Sequence, residues 1–533
     1  MSPIRISVIS LNLAVSVAMA VILNLPFWNQ FETIYDSPLF TASAVLLLSS
    51  LNMLVLTLIS WRRIYRPLLG LLLLISCSGA YFIHSYGIAI DSNMLRNVLE
   101  TDPAEAFELI TPTMVLLSVS VPLVLLVFFR NVKVVIPVWH RSLIHNCGLF
   151  ITISALCAGN IFLFYQQYAD FARNHKPVRY FVLPHNVLWA SSSLAAEQFQ
   201  TPIQPYRQIA QQSTPGPLLT DSSKPSLLVL VVGETARAAN FSLNGYPRQT
   251  NPKLSELGVT SYQQVSACGT STAVSLPCMF SASSRTEYDH QADRNKENLL
   301  DLIARAGLKV LWVDNNSGCK GVCERIETLE IKHQPENPNC IDGECYDETM
   351  LSPLAEVINN SQGHTVVVLH QKGSHGPAYD RRYPDTFRQF TPVCETSQLS
   401  DCAQQSVVNA YDNTILYTDH LLARIISMLN QQQRFNSGML YVSDHGESLG
   451  ENNLYLHGMP YALAPDFQKQ IPMISWFDEG FKQQHQITTE CQNDTLPLSH
   501  DHLFHSVLSL LGVKTELYQR ELDLFSVCRP DGH

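Results

Sequence analysis

Five apolar stretches, none containing a Lys, Arg, Asp or Glu, restrict this chain more than any other feature. They run Ile6–Trp28, Leu39–Trp61, Leu68–Ile90, Leu109–Phe129 and Leu143–Tyr165. Each approaches or exceeds the roughly 20 residues that cross a hydrocarbon core as a helix. Buried helices of a soluble domain do not come as five charge-free runs in series, so five spans are predicted. Ala18 and Ala20 resemble a signal-peptide cleavage site, but they lie in the middle of the first run. That placement predicts an uncleaved first helix.

The charges divide accordingly. Residues 1–165 hold 8 Lys/Arg and 7 Asp/Glu, whereas the remaining 368 residues hold 27 and 39. A uniformly soluble enzyme is excluded. A nucleic-acid binder is disfavoured, because no basic stripe is present to neutralise phosphates. Orientation follows from the basic residues. Arg5 precedes the first run, Arg62, Arg63 and Arg66 fill the second loop, and Arg130, Lys133 and Arg141 fill the fourth. The first loop has no basic residue, and the third has Arg96 among five acids. The positive-inside rule then places the amino terminus in the cytoplasm and everything after Tyr165 outside it.

Cysteine usage is an independent indication. Cys77, Cys147 and Cys157 lie in the apolar runs, and the other ten all follow residue 260. An even count in an exported domain predicts five disulfides. Short separations suggest Cys268–Cys278, Cys319–Cys323, Cys340–Cys345 and Cys394–Cys402, leaving Cys491 with Cys528, although spacing does not fix connectivity. A structural zinc at Cys319-x-x-x-Cys323 is the rival reading, and it lacks a second ligand pair nearby.

Three regions are therefore expected: a five-helix membrane domain over 1–165, interfacial helices and linker over 166–226, and an exported domain over 227–533. Tyr165–Ala172 and Pro184–Phe199 read as surface-lying amphipathic helices. Thr201–Ser226, rich in Pro, Gln, Ser and Thr, reads as linker. From Leu227 onward, short β-rich runs (Leu227–Val232, Lys309–Val313, Thr365–Leu369, Met439–Val442) alternate with helical patterns such as Glu297–Ala306 and Val408–Leu429. This alternation predicts an α/β fold with a largely parallel sheet.

Ligands of such sheets bind beyond the carboxyl ends of the strands. The four runs are followed by Glu234-Thr235, Asp314-Asn315-Asn316, His370 with His375, and Asp444-His445 with Glu447. A lone Asp-His pair after a strand is more often a loop hydrogen-bond pair, but four strand ends delivering carboxylates, amides and imidazoles to one rim favour a site. Mixed oxygen and nitrogen donors suit zinc. The hydroxyl-rich segment Cys268–Cys278 includes Thr272, and a metal-activated hydroxyl is a nucleophile. A Ser/Thr-rich turn inside a disulfide loop remains equally open on composition.

Several longer motifs carry a resemblance. They are Val232-Gly-Glu-Thr-Ala-Arg237, Asn244-Gly-Tyr246, the Cys268–Cys278 segment, Asp314–Gly321, Ser374-His-Gly-Pro-Ala-Tyr379, Ala410-Tyr-Asp-Asn413, Tyr441–Gly450 and Tyr455-Leu-His-Gly458. With them the chain resembles phosphoethanolamine transferases of the alkaline-phosphatase superfamily. It is similar to those that modify lipid A, including the mobile colistin-resistance enzymes. The resemblance implies an alkaline-phosphatase/sulfatase-like domain, with helices on both faces of its sheet, behind a five-span anchor. It also implies Thr272 as a nucleophile that becomes phosphoethanolaminated, and Glu234, Asp444, His445 and Thr272 as ligands of one tightly held zinc. A second zinc ion during turnover stays open. Asn316, Ser317, Lys320, His375 and His457 would surround the phosphoryl group, and Glu287 would be a pocket acid near accessory zinc. Asn97, Thr101 and Glu105 would recognise the ethanolamine headgroup.

The implied donor is phosphatidylethanolamine and the acceptor a lipid A phosphate. The implied setting is the bacterial inner membrane, with a periplasmic catalytic domain working as a monomer. Adding ethanolamine groups would lower the negative charge of lipid A and weaken polymyxin binding. Rival readings are transfer to lipopolysaccharide core or glucan, and a non-catalytic membrane receptor. A sulfatase is disfavoured, because no Cys/Ser-x-Pro-x-Arg nucleophile context is present. A transporter is disfavoured by charge-free spans without a clear repeat.

Overall fold

A computed structural model describes residues 4–101, 103–200, 205–332, 336–341, 344–488 and 497–526, with the side chains of 103–105 and 198–200 excepted. The chain forms two compact units. One comprises residues 1–95 and 110–196, and the other 96–109 and 197–533. The predicted limits at 165 and 226 do not coincide with this division. The segment after the third apolar run belongs with the α/β unit. Part of the expected linker is also built into that unit, since Ser213–Pro215 pairs antiparallel with Val513–Thr515.

The first unit is helical. Pro38–Leu58, Tyr65–Tyr86, Pro112–Asn131 and Trp139–Leu163 are each long and apolar enough to cross a membrane. The first apolar run differs from expectation. It forms Val8–Ile22 and Leu25–Ile34, bent by 61° at a short break, rather than one continuous helix. Its cause is local. Pro26 lies at the start of the second helix, and the buried Asn24 side chain donates to the carbonyls of Met19 and Leu183. Proline, which has no N–H, costs nothing at the first turn of a helix but would remove a hydrogen bond inside one. The other ends follow ordinary capping rules. Ser37 and Thr111 accept from the N–H groups of Phe40 and Met114, each followed by a proline. Gly87 closes Tyr65–Tyr86 in the left-handed conformation, at φ 71°. Side-chain hydrogen bonds join the helices where apolar packing gives little specificity. Tyr65 donates to Asn12, and Asn12 donates to Ser60. Both segments expected to lie at the membrane surface are helical, as Tyr165–Asn174 and His185–Gln200.

The second unit is built on an eight-stranded sheet. In chain order the strands are β1 (Ser226–Gly233), β2 (Thr260–Ser266), β3 (Lys309–Asp314), β4 (Glu327–Glu330), β5 (Thr365–His370), β6 (Asn436–Ser443), β7 (Gln470–Phe477) and β8 (Leu498–Ser499). Their spatial order is β8-β2-β7-β6-β1-β5-β3-β4. β7 pairs antiparallel with both neighbours, and every other pairing in this sheet is parallel. All four runs read as strands from the sequence lie in the central block β6-β1-β5-β3. β1 and β5 are buried at every residue, which is why they read as unbroken apolar runs rather than alternating ones. One face of the sheet, through Leu228, Leu230, Val232, Trp312, Val366 and Leu440, shares a core with Leu299, Leu302, Phe504 and Leu508. The 28-residue helix Gln404–Gln431 packs against β6. Four disulfides close as spacing suggested: Cys268–Cys278, Cys319–Cys323, Cys340–Cys345 and Cys394–Cys402. Cys491 and Cys528 lie outside the described residues.

Candidate active site

β1 and β6 run side by side in register, with Gly233 opposite Ser443. The residues that follow them, Glu234 on one strand and Asp444-His445 on the other, therefore emerge at one point. All three are buried, and each offers a ligand atom within 4.8 Å of the others. His445 Nε2 lies 3.5 Å from Glu234 Oε1 and 3.4 Å from Asp444 Oδ2. Among the described residues, the buried Asp444 Oδ2 atom has no hydrogen-bond partner. Two buried carboxylates converging on an imidazole, one with an unsatisfied oxygen, suit a divalent cation of zinc-like preference. The protonation tendencies agree. Burial, followed by the Glu234 charge, pushes the Asp444 carboxyl well above the usual carboxylate range. Burial and the neighbouring His457 push His445 down to about 3, so its imidazole is neutral and able to ligate.

The backbone around this point is tightly shaped. Thr235 takes a left-handed conformation (φ 57°) and turns its N–H onto Asp444 Oδ1 at 3.1 Å and its hydroxyl onto Glu234 Oε1 at 2.8 Å. Tyr411 locks that turn by donating to the Thr235 carbonyl at 2.7 Å. Gly373, at φ 56°, passes so close beneath Glu234 that a Cβ there would lie 2.7 Å from the Glu234 carbonyl oxygen.

Thr272 begins the helix Thr272–Met279. Its Oγ1 lies 3.2 Å from both Glu234 carboxylate oxygens and 3.3 Å from His445 Nε2. The hydroxyl thus faces the ligand cluster directly. The Cys268–Cys278 disulfide brackets this segment. Two residues that sequence reasoning missed fix it against β6. Ser275 donates to the Asp444 carbonyl at 2.5 Å, and the buried His500 bonds both the Cys268 N–H and the Ser443 carbonyl. On the far side, Thr270 and the Met459–Gly458 backbone exchange hydrogen bonds of 2.6 and 2.7 Å. This ties the Thr272 loop to the segment carrying His457.

The remaining expected residues fall at different distances from this centre. Asn316 donates to Glu234 Oε2 at 2.7 Å and to the Gln371 carbonyl at 2.9 Å, so it orients a candidate ligand. The His457 ring lies 4.4 Å from that of His445 and 5.7 Å from that of His375. Glu447 sits behind His457, its Oε2 3.4 Å from the ring Nδ1. Ser317 and Lys320 form a pair of their own. The Lys320 ammonium donates to the Ser317 carbonyl and hydroxyl and to the Glu100 carbonyl. Among the described residues, no hydrogen bond joins Lys320 to Thr272 or to the three ligands. Glu287 is exposed and accepts from the Ser284 hydroxyl at 3.0 Å; it is not gathered with the ligands. Asn97 lies within helix Ser92–Glu100 and Thr101 directly follows it, with the Thr101 hydroxyl on the Asn97 carbonyl. The Glu105 side chain lies outside the described residues.

The chain has counterparts among known proteins. Residues 226–513 match the sulfatase family, and residues 48–199 match the family of phosphoethanolamine transferases EptA/EptB. The chain is 40% identical over 523 residues to phosphoethanolamine transferase EptA of Escherichia coli K12, covering 96% of this chain and 95% of that one. It is 38% identical over 521 residues to phosphatidylethanolamine transferase Mcr-1 of Escherichia coli, covering 94% of each. The integral membrane lipooligosaccharide phosphoethanolamine transferase A of Neisseria meningitidis superposes with a TM-score of 0.93 at 37% identity, over 99% of this chain and 100% of that one. An anchor of apolar helices joined to a sulfatase-like domain, together with near full-length identity to these enzymes, places the chain in the EptA/Mcr family of phosphoethanolamine transferases.

Proposed function

We propose that this transferase moves phosphoethanolamine from phosphatidylethanolamine to a phosphate of lipid A, in two steps through Thr272, with zinc as its metal. The observation that carries this reading is the position of Thr272 Oγ1, at 3.2 Å from Glu234 and 3.3 Å from His445. The acceptor class named for the Neisseria meningitidis relative and the donor named for Mcr-1 support the substrates.

Glu234, Asp444, His445 and Thr272 would hold the ion. When bound, zinc would lower the pKa of the threonine hydroxyl and offset charge on the phosphoryl oxygens. In the first step, a bond forms between Thr272 Oγ and phosphorus. The phosphorus–oxygen bond to diacylglycerol breaks, and the hydroxyl proton ends on the diacylglycerol oxygen. His457, its ring 4.4 Å from that of His445, and His375, 5.7 Å beyond it, are the imidazoles near enough to carry that proton. In the second step, a lipid A phosphate oxygen attacks the same phosphorus, and Thr272 Oγ leaves and recovers a proton. Thr272 lies at the amino end of its helix, so the peptide dipoles favour the negative charge that develops there. Asn316 and Thr235 keep Glu234 fixed throughout, which spares reorganisation during transfer.

Both substrates are lipids, so an anchored catalytic unit suits the reaction. We place the amino terminus in the cytoplasm, the anchor in the bacterial inner membrane and the active site in the periplasm, acting as a monomer. The product carries less negative charge and should bind cationic polymyxins less well. The test is mass spectrometry of lipid A from cells expressing the wild type or Thr272→Ala. The wild type should shift lipid A by one or more phosphoethanolamine units, and the variant should not. Equal modification by both would overturn the role of Thr272. An unshifted lipid A beside a modified core or glucan would reassign the acceptor.

A further inference from the structure

The loop carrying Asn97 and Thr101 belongs to the same compact unit as the catalytic centre. It is held there at three points, by Arg96, Lys320 and Arg382. At its start, Arg96 donates to both oxygens of Glu197 at 2.8 Å. In its middle, the Glu100 carbonyl receives Lys320. At its end, Glu108 receives Arg382, and that contact leads directly to the catalytic histidines.

Arg382 is almost fully enclosed, with 2% of its side chain exposed. Its guanidinium makes three contacts in different directions. One terminal nitrogen pairs with Glu108, the other with Glu344, and Nε donates to the His375 carbonyl at 2.8 Å. Glu344 also pairs with Lys372 at 2.8 Å. The Lys372 and Gly373 N–H groups are fixed on Asp347, and Gly373 lies beneath Glu234. One guanidinium therefore joins the headgroup loop, the His375 backbone and the segment supporting a metal ligand. A planar fork with donors at fixed angles can do this, whereas a single ammonium cannot.

We propose that Arg382, through Glu108, is a positioning residue for the donor. It holds the loop 96–109 at a fixed distance from His375, so that the headgroup and the phosphoryl group of one lipid are bound together. This rests on the reading of Asn97 and Thr101 as headgroup contacts. It assigns specificity to a buried ion pair rather than to a residue that touches the lipid. Glu108 and Arg382 lie in the wall of a cavity of about 470 Å³, with Phe107, Glu344 and Tyr383 among its other lining residues. That cavity gives the loop room to move when the pair is broken.

The experiment uses the full chain in lipid–detergent micelles, with phosphatidylethanolamine as donor. Glu108→Gln removes the charge at constant shape, and Arg382→Lys keeps the charge while losing the fork. Arg382→Ala is avoided, since it would strand two carboxylates and could fail to fold. Both chosen variants should raise the donor KM by about tenfold with kcat within about twofold of wild type. Hydrogen exchange should rise across 96–109 and not at 226–233. A merely structural role would lower the melting temperature and leave the KM of the surviving enzyme unchanged. Unchanged KM and unchanged exchange in both variants would overturn the proposal, provided Thr272→Ala is inactive in the same assay. An active Thr272→Ala would instead overturn the underlying reading of the site. Parallel assays with phosphatidylglycerol should show reduced discrimination between headgroups in Glu108→Gln, and retained discrimination would count against the proposal.

Discussion

At the residue scale, the centre brings together two buried carboxylates, a neutral imidazole and a hydroxyl. Without a cation, burial and the Glu234 charge raise the Asp444 pKa. Ion binding therefore competes with a proton for Asp444, and the sign follows. Zinc affinity should rise with pH, by roughly tenfold per unit while one proton is exchanged. It should weaken as pH falls and Asp444 is protonated. His445, held at about 3, adds no competition above roughly pH 4. Titration against a chromogenic chelator between pH 6 and 8, on either side of neutrality, reads this slope. A flat profile would mean that Asp444 holds no proton in this range for the ion to displace. Asp444-His445 was legible in the sequence because two ligand types stand together directly after an apolar strand. His500 was not, because a single histidine before a helix looks the same whether it supports a site or fills a surface. Glu108 was hidden for a related reason, since an acid on a short exported loop reads as solvated until its guanidinium partner, 274 positions away, is known.

At the element scale, the sheet was legible where burial is two-sided. β1, β3, β5 and β6 are apolar enough to stand out, whereas β4, exposed at every residue, gave no signal. The bend at Asn24–Pro26 was masked because an apolar run keeps its composition through a break. The Thr272 helix shows how local chemistry sets function at this scale. It has only eight residues and contains Pro277, so its own hydrogen bonds are a weak support. The Cys268–Cys278 link, Ser275 and His500 supply the rest. Replacing both Cys268 and Cys278 by serine should cost about 2–4 kcal/mol by the usual range for disulfides. It should lower kcat more than zinc content, because three of the four proposed ligands, Glu234, Asp444 and His445, follow β1 and β6 and only Thr272 lies on this helix. Thermal melts with zinc analysis check both parts. Loss of zinc in step with activity would show that the helix, and not the strand ends, builds the metal site.

At the scale of the whole molecule, the division between a charge-poor helical unit and a charged α/β unit is the physical basis of the function. The composition break revealed the two materials but not their boundary. Residues 96–109 fold with the α/β unit although they lie between two membrane-type helices in sequence. Basic residues sort onto alternate loops, which makes orientation testable. A cysteine placed at Asp36 should react with a membrane-impermeant thiol reagent applied outside intact spheroplasts. Cysteines at Arg63 or Lys133 should react only after lysis. The reverse pattern would invert the topology and put the catalytic centre on the wrong side for lipid A.

The central claim is that Thr272 carries the phosphoethanolamine group between two lipids. Its most direct measurement is peptide mass spectrometry of the purified full-length enzyme, loaded with zinc and incubated with phosphatidylethanolamine in the absence of acceptor. A phosphoethanolamine increment on Thr272, lost when lipid A is added and absent from Thr272→Ala, is the predicted result. An enzyme that modifies lipid A at full rate while Thr272 never carries the group would contradict the account.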